Sequence, residues 1–431
     1  MIMMTALKRN TNGEVLSTSN TSNITYWGYL PLNIDLSTII IQRSTLDSIS
    51  RFLLIVAATS SNESYTRMSS YSLINLLGKK YLVVLSLLES KNIIVWKKEG
   101  SLYSGIENEK NHNSFRIVEA VRFRQHKITS TVAKKRVLKH QVIPAHNKAL
   151  IKAYSALKST NIPSKSKNFN HALKEGAIIP KQDIFGRRIH SPITNIKSLN
   201  RSEVKYLRMP THQVVEVDIK ASHPYYLIQF INFPEVLTKI FDEKYLKYAE
   251  VFNIIPKQEK IRWFKMYFRG DFYENLAELF SGSNWVKILK KKLKKDGKQI
   301  PSTHRSFAKS AFMYLINGMY PPLIKILATK FPVSTFVFKF ICSCNIPFIS
   351  KELTPQNGYN KKYEPYKNLA IFLQRTEASL LQMAYTDSNT WGHMIHDSIL
   401  CTQIRAETFK RAIEKSNRRF FRSPPKVTIK N

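Results

Sequence analysis

Apolar positions along the 431-residue chain follow two spacings. From Leu46 to Leu88 they recur every three to four residues, in the clusters Ile49/Phe52/Leu53/Val56 and Leu73/Leu76/Leu77/Leu82, which predicts helices with one buried face. Residues 88–96 end in a β-like run. After a polar, Gly-containing gap, residues 114–123 form a second one. Residues 125–180 read as basic and mostly helical, and 183–208 as turn-rich. The run Val214-Val-Glu-Val-Asp218-Ile alternates β-branched residues and predicts a strand, with Pro224 placed to sit in the first turn of a following helix. Helical spacing returns over 235–300, 305–320 and 366–385. Residues 391–402 then predict strand, two-residue turn, strand, and the end of the chain reads as a basic helix followed by an extended Ser-Pro-Pro-Lys segment. The first 30 or so residues are rich in Ser, Thr and Asn and read as a poorly ordered tail.

The order of elements predicts an α+β fold divided into the tail (1–30), an N-terminal α+β domain (31–125), a basic helical linker (126–182) and a C-terminal domain (183–431). Helices followed by a basic β-hairpin in 31–125 fit a winged-helix module, and a plain α+β cap equally.

Charge changes the picture more than apolar content, which is an ordinary 43%. Lys and Arg number 67 against 30 Asp and Glu, for a formal net charge of +37. Such a surplus implies a polyanionic partner, nucleic acid first. A membrane is disfavoured: no basic amphipathic helix rich in Trp, Phe and Leu stands out, and the apolar runs 52–58 and 81–88 are too short to span one. The N-terminus lacks a signal-peptide layout. Cys342, Cys344 and Cys401 make neither a zinc knuckle nor a disulfide framework, which fits a reducing, cytoplasmic, DNA-associated setting.

Several stretches carry candidate chemistry, each with a plainer alternative. In Trp391-Gly-His-Met-Ile-His396-Asp397-Ser398, a carboxylate at a hairpin tip suits a metal ligand, and turn chemistry also explains it. Asp218, at a strand end beside a helix start, is a second ligand position or a helix cap. Gly186-Arg187-Arg188-Ile-His190-Ser191 suits a bidentate grip on phosphates or a basic surface loop. Arg305, Lys309, Met313 and Asn317 are spaced by four and share a helix face, which fits a triphosphate with a base beyond it, or a surface helix with two cations. Gly318 permits close packing or caps that helix. The lysines between 287 and 295 form a solvated face or one that meets a nucleic-acid strand. Gln374, Glu377 and Leu381 share a face of the helix before the hairpin.

In this order the motifs resemble those of family A DNA polymerases and the related single-subunit, phage-type RNA polymerases. Motif A corresponds to Val217-Asp218-Ile-Lys-Ala-Ser-His-Pro, and motif C to His396-Asp397-Ser398. Motif B (R-x3-K-x3-F/M-x3-Y-G) corresponds to Arg305, Lys309, Met313, Asn317 and Gly318, with Asn in place of Tyr. Gly186-Arg187-Arg188 resembles the Gly-Arg element before motif A, and Gln374-Arg-Thr-Glu377-Ala the helix before motif C. The likeness covers residues 183–415. It implies a right-hand architecture, with a small antiparallel palm sheet, helical fingers and a thumb-like role for 126–182.

The resemblance implies a template-directed nucleotidyltransferase, most simply a DNA-directed DNA polymerase of a plasmid, phage or other mobile element. It would be a monomer acting on nucleoside triphosphates and a DNA (or RNA) primer-template. Two Mg²⁺ ions, replaceable by Mn²⁺, would be held by Asp218, Asp397 and the carbonyl of Ile219. Such ions stabilise both the attacking 3′-oxygen and the leaving pyrophosphate. Lys309 and Arg305 would neutralise the triphosphate, and Met313 would support the incoming base. His396 would touch the primer terminus, with Gln374, Arg187 and Arg188 on the nucleic acid. Departures leave the sugar preference open. Asn317 cannot stack as Tyr does, His223 stands where DNA enzymes place a steric-gate Glu, and Ser398 follows the RNA-polymerase pattern. No upstream carboxylate cluster suggests proofreading. A single-subunit RNA polymerase or primase, a non-catalytic replication initiator and a metal-dependent nuclease remain as alternatives.

Overall fold

Two units, each with its own core, divide the chain: Met1–Lys181 with Ser191–Val214 and Trp391–His393, and Gln182–His190 with Val215–Thr390 and Met394–Asn431. The computed structural model describes residues 8–9, 15–16, 26–32, 34–40, 42–59, 65–99, 112–118, 121–140, 146–165, 167–196, 198–241, 245–318, 320–354 and 363–430. These form a helix-rich α+β fold with small antiparallel sheets, the class that the two apolar spacings predict.

In the first unit, β1 (Tyr26–Pro31) pairs antiparallel with β5 (Phe123–Ile128) and lies on α1 (Arg43–Thr59). A Cβ on Gly28 would come within 2.4 Å of the Ser50 backbone, so only glycine lets the strand approach this helix. Asp47 of α1, fully buried, accepts hydrogen bonds from the N–H groups of Thr129 (2.8 Å) and Ser130 (2.7 Å) and pairs with His126 (2.6 Å). It thereby holds the end of β5 to the helix. A second sheet has the order β2 (Thr66–Ser69), β4 (His112–Ile117), β3 (Ile94–Glu99).

Two local expectations change. Of the stretch read as a tail, residues 1–7, 10–14 and 17–25 lie outside the described residues, while residues 26–30 belong to β1. Leu82, grouped by spacing with Leu73, Leu76 and Leu77, is exposed, whereas Leu85 and Leu88 are buried. The helix ending at Leu77 stops at Gly78 (φ +93°), and a new one starts at Tyr81, so the phase of the apolar face resets.

The second unit is built around a four-stranded sheet of order β7 (His393–Ile395), β8 (Ser398–Thr402), β6 (Val214–Ile219), β9 (Val427–Lys430). Its main helices here are α2 (Ser222–Asn232), α3 (Phe272–Leu279), α4 (Trp285–Lys295), α5 (His304–Gly318), α6 (Asn368–Asp387) and α7 (Gln403–Arg418). The segment read as extended after Pro424-Pro425 becomes β9, which runs antiparallel to β6 with Thr428 opposite Asp218 and Lys430 opposite Glu216.

The core of this unit is aromatic. Trp263 stacks on Phe331 at 4.3 Å and donates to Ser334 Oγ at 3.0 Å. Each such ring contributes about 1.5–3 kcal/mol on burial. Buried Glu259 accepts from the N–H groups of Val333 (3.0 Å) and Ser334 (2.8 Å), satisfying the start of the helix Pro332–Ser343. Among the described residues no helix is long and apolar enough to cross a membrane, and the three cysteines are free.

Candidate active site

Of the candidate stretches, Ser191 and Trp391–His393 fall in the first unit, while Arg187, Arg188, Asp218, Ile219, His223, Arg305, Lys309, Met313, Asn317, Gly318, Gln374, His396 and Asp397 fall in the second. Asp218 is the fifth residue of β6, and the chain leaves that strand through Ala221, whose φ of +50° turns it directly into α2. Asp397 occupies the two-residue turn between β7 and β8, with His396 at φ +51° supplying the left-handed residue that a tight hairpin requires. The two turns meet at the backbone, where the N–H of Ile219 donates to the carbonyl of Asp397 at 3.4 Å.

The electrostatics follow from burial. Asp218 is 9% exposed. Burial first, then the Asp397 charge, pushes its carboxyl up to about 6, against a lowering by Lys430. Burial and then Glu377 raise Asp397 as well. Two like charges made to share a dry site favour a cation or a proton between them.

A second layer supports the pair. Glu377 of α6 is fully buried and accepts Arg188 Nε at 2.9 Å, with Arg188 Nη2 also bonded to it. Ser222 Oγ lies 2.6 Å from Glu377 Oε2 and 3.3 Å from Asp397 Oδ2. A hydroxyl has one proton to give, so these two carboxylates compete for it. Arg188 Nη2 lies 3.2 Å from His223 Nε2. A guanidinium only donates, so this nitrogen is the acceptor and the imidazole is neutral. Burial, helped by Arg188 and Lys309, lowers His223 to about 4, in agreement. Its 3.6 Å approach to Glu377 is therefore not an ion pair at neutral pH.

The cationic helix approaches the same cluster. Lys309 is exposed, acts on His223 through its charge, and has no carboxylate partner among the described residues. Arg305 is engaged by Asp271 at 3.0 Å and lies over the Tyr273 ring at 5.6 Å. Met313 packs against the core, and Asn317 donates to the Met313 carbonyl of its own helix at 3.0 Å. A side chain at Gly318 would meet nothing within 4 Å among the described residues. No described contact joins these last three positions to the aspartates.

The arginine turn is built by Asp183, which accepts the N–H groups of Gly186 (2.6 Å) and Arg188 (3.1 Å) and pairs with His190 (2.8 Å). A Cβ on Gly186 would come within 2.6 Å of Gln374 Oε1, so the turn and α6 are in tight contact. Arg187 (φ +56°) points to Glu352 at 3.3 Å, whereas Arg188 turns inward to Glu377. Exposed His396 meets His190 ring to ring at 5.7 Å.

Two participants were not legible as such. Glu377 is an acid in the middle of a helix of mixed polarity, and Lys430, which bonds Asp218 Oδ2, follows a Pro-Pro segment with no helical or turn signature. For Glu377 the available signal was its position on one face with Gln374.

As a metal site, the pair offers only hard oxygen donors. Among the described residues no group of three or more His, Cys, Asp or Glu side chains converges to hold an ion. Two aspartates that already draw an ammonium to one oxygen suit a cation that keeps water and takes further ligands from a substrate, as Mg²⁺ does, rather than an all-protein cage.

The chain matches no protein-family model and no curated protein. Among solved structures it is similar to the POL domain of Pol1 from M. smegmatis in complex with DNA primer-template and dNTP, at 10% identity and a TM-score of 0.29. The match covers 69% of this chain, which spans about half (52%) of that one.

Proposed function

We propose that the second unit is the catalytic part of a template-directed nucleotidyltransferase, most simply a DNA-directed DNA polymerase, in which Asp218 and Asp397 hold divalent metal. The observation that carries this reading is the backbone contact between the segments that bear Asp218 and Asp397, with the Asp397 charge raising the Asp218 carboxyl, beside a helix that presents Lys309. Bound Mg²⁺ supplies positive charge to the attacking 3′-oxygen and to the leaving pyrophosphate. Lys309 neutralises the triphosphate, joined by Arg305 when it exchanges Asp271 for phosphate. Neutral His223, whose Nε2 accepts from Arg188, has an Nδ1–H to donate near the sugar without adding charge, and Arg187, Gln374 and exposed His396 take the primer-template.

Primer extension on a DNA template with Mg²⁺, offering dNTPs and rNTPs separately, tests the reading and settles the sugar. Lys309→Ala lowers extension by about a hundredfold or more and leaves the melting temperature unchanged, because the side chain is exposed. A nuclease built on the same aspartates would keep cleaving in that variant.

The grip on the nucleic acid extends to α4, which buries Trp285, Leu289 and Leu293 and exposes Lys287, Lys291 and Lys294 on the opposite side. Replacing these three lysines with Gln weakens DNA binding and flattens the slope of log K against log salt by about 2–3. An unchanged slope would remove α4 from the interface.

The ion pairs that engage Asp218 and Arg305 favour one other reading, a non-catalytic DNA-binding initiator. Salt-sensitive DNA binding without extension of either nucleotide set would select it.

A further inference from the structure

The last strand of the sheet brings a cation to the metal-binding aspartate. In the β6–β9 register, Thr428 faces Asp218 and Lys430 faces Glu216. Residues two apart share a face, so Lys430 is diagonal to Asp218 on the same side of the sheet. Glu216 accepts Ser398 Oγ at 2.6 Å, and the Lys430 ammonium is bonded to Asp218 Oδ2. The two ends of this ion pair differ in mobility. The Lys430 side chain is 57% exposed on a flexible stem, while that of Asp218 is 13% exposed. The carboxylate is fixed, and the ammonium can swing into solvent without disturbing any packing.

We propose that Lys430 is a tethered counter-cation for Asp218, which a divalent ion must displace, so that this lysine sets the metal concentration at which the site is loaded. The inference rests on the nucleotidyltransferase reading. The strand fixes the lysine within reach of the carboxylate whatever the ionic strength, so the ammonium competes at a constant effective concentration rather than as a salt ion. Once displaced, it stays beside the site as an extra positive charge for the substrate phosphates. Metal and triphosphate together therefore release it more readily than metal alone.

The test is Mn²⁺ binding to the full chain, followed by electron paramagnetic resonance of the free ion, for the wild type, Lys430→Met, Lys430→Arg and Asp218→Asn. Methionine keeps the length and apolar stem of lysine and removes the charge. Lys430→Met is expected to bind the first Mn²⁺ about tenfold more tightly than the wild type. Lys430→Arg stays at or below the wild-type affinity, and Asp218→Asn loses the site. In primer extension, the Mg²⁺ concentration for half-maximal rate falls in Lys430→Met by a similar factor. Equal or weaker Mn²⁺ binding in Lys430→Met, with binding still abolished by Asp218→Asn, overturns the tethered-cation proposal and leaves the metal site standing. Binding that Asp218→Asn does not affect overturns the metal site itself, and this proposal with it. Circular dichroism of Lys430→Met checks that β9 remains folded.

Discussion

Asp218→Asn abolishes primer extension and, at the same time, raises the midpoint of thermal unfolding at pH 7. The loss of activity follows from the proposed role of Asp218 as one of two carboxylates that hold divalent metal. At 1.36 kcal/mol per factor of ten, forfeiting several kcal/mol of charge stabilisation lowers the rate about a thousandfold or more. The gain in stability follows from the carboxyl's position. Its pKa is 3.8 in an ordinary setting and about 6 here, through burial first and the Asp397 charge second. A carboxyl that holds its proton more tightly folded than unfolded makes the fold lose stability as pH rises between those two values, and the loss persists above the upper one. The neutral amide avoids that cost, which is of order 2 kcal/mol, and still accepts a bond from Lys430. For a unit of this size each kcal/mol is worth about 2–4 °C. Thermal unfolding of both proteins at acid and neutral pH is decisive: the difference shrinks towards low pH, where the wild-type carboxyl is protonated. Retained extension would remove Asp218 from the chemistry, and an unaltered midpoint at neutral pH would show that its charge is well tolerated. Asp397→Asn loses activity in the same way.

Glu377→Ala has the largest effect on stability. Glu377 is fully buried, and its partner Arg188 has a side chain only 17% exposed. Truncating one member of a buried pair leaves the other desolvated and unpaired, at a cost of about 3–5 kcal/mol. Ser222 also loses its 2.6 Å acceptor and turns to Asp397. Urea unfolding measures the loss as a lower midpoint at unchanged slope. Glu377→Gln separates support from charge. It keeps an oxygen for Arg188 and unfolds at a midpoint between the other two. It also removes the charge that, after burial, holds Asp397 up, so the acid limb of the extension rate moves to lower pH. A limb that stays in place would confine Glu377 to packing.

Local chemistry made much of this site legible. The His396-Asp397 turn announces itself through apolar runs on both sides of a polar pair. Asp218 follows from strict alternation, and Arg305 and Lys309 from helical spacing. Each signal lies within a dozen residues of the side chain it predicts. What escaped depends on distant segments. Glu377 looks like any solvent-facing glutamate until Arg188, 189 positions away, accounts for its burial. Lys430 acquires meaning only when β9 pairs with β6, which brings it to a carboxylate 212 positions earlier. Sequence does not separate an arginine that grips phosphate from one turned inward, as Arg188 is, because the two have the same neighbours along the chain. The positive φ of Arg187 is what splits the pair, sending one guanidinium to Glu352 and the other to Glu377.

The strand order also bears on synthesis. Both neighbours of β6 come from beyond residue 397, and β9 occupies residues 427–430. On the ribosome, β6 emerges long before either partner exists and must wait with both edges unpaired. Asp218 cannot meet Asp397 until the β7–β8 hairpin has emerged, and Lys430 cannot reach Asp218 until β9 has followed it.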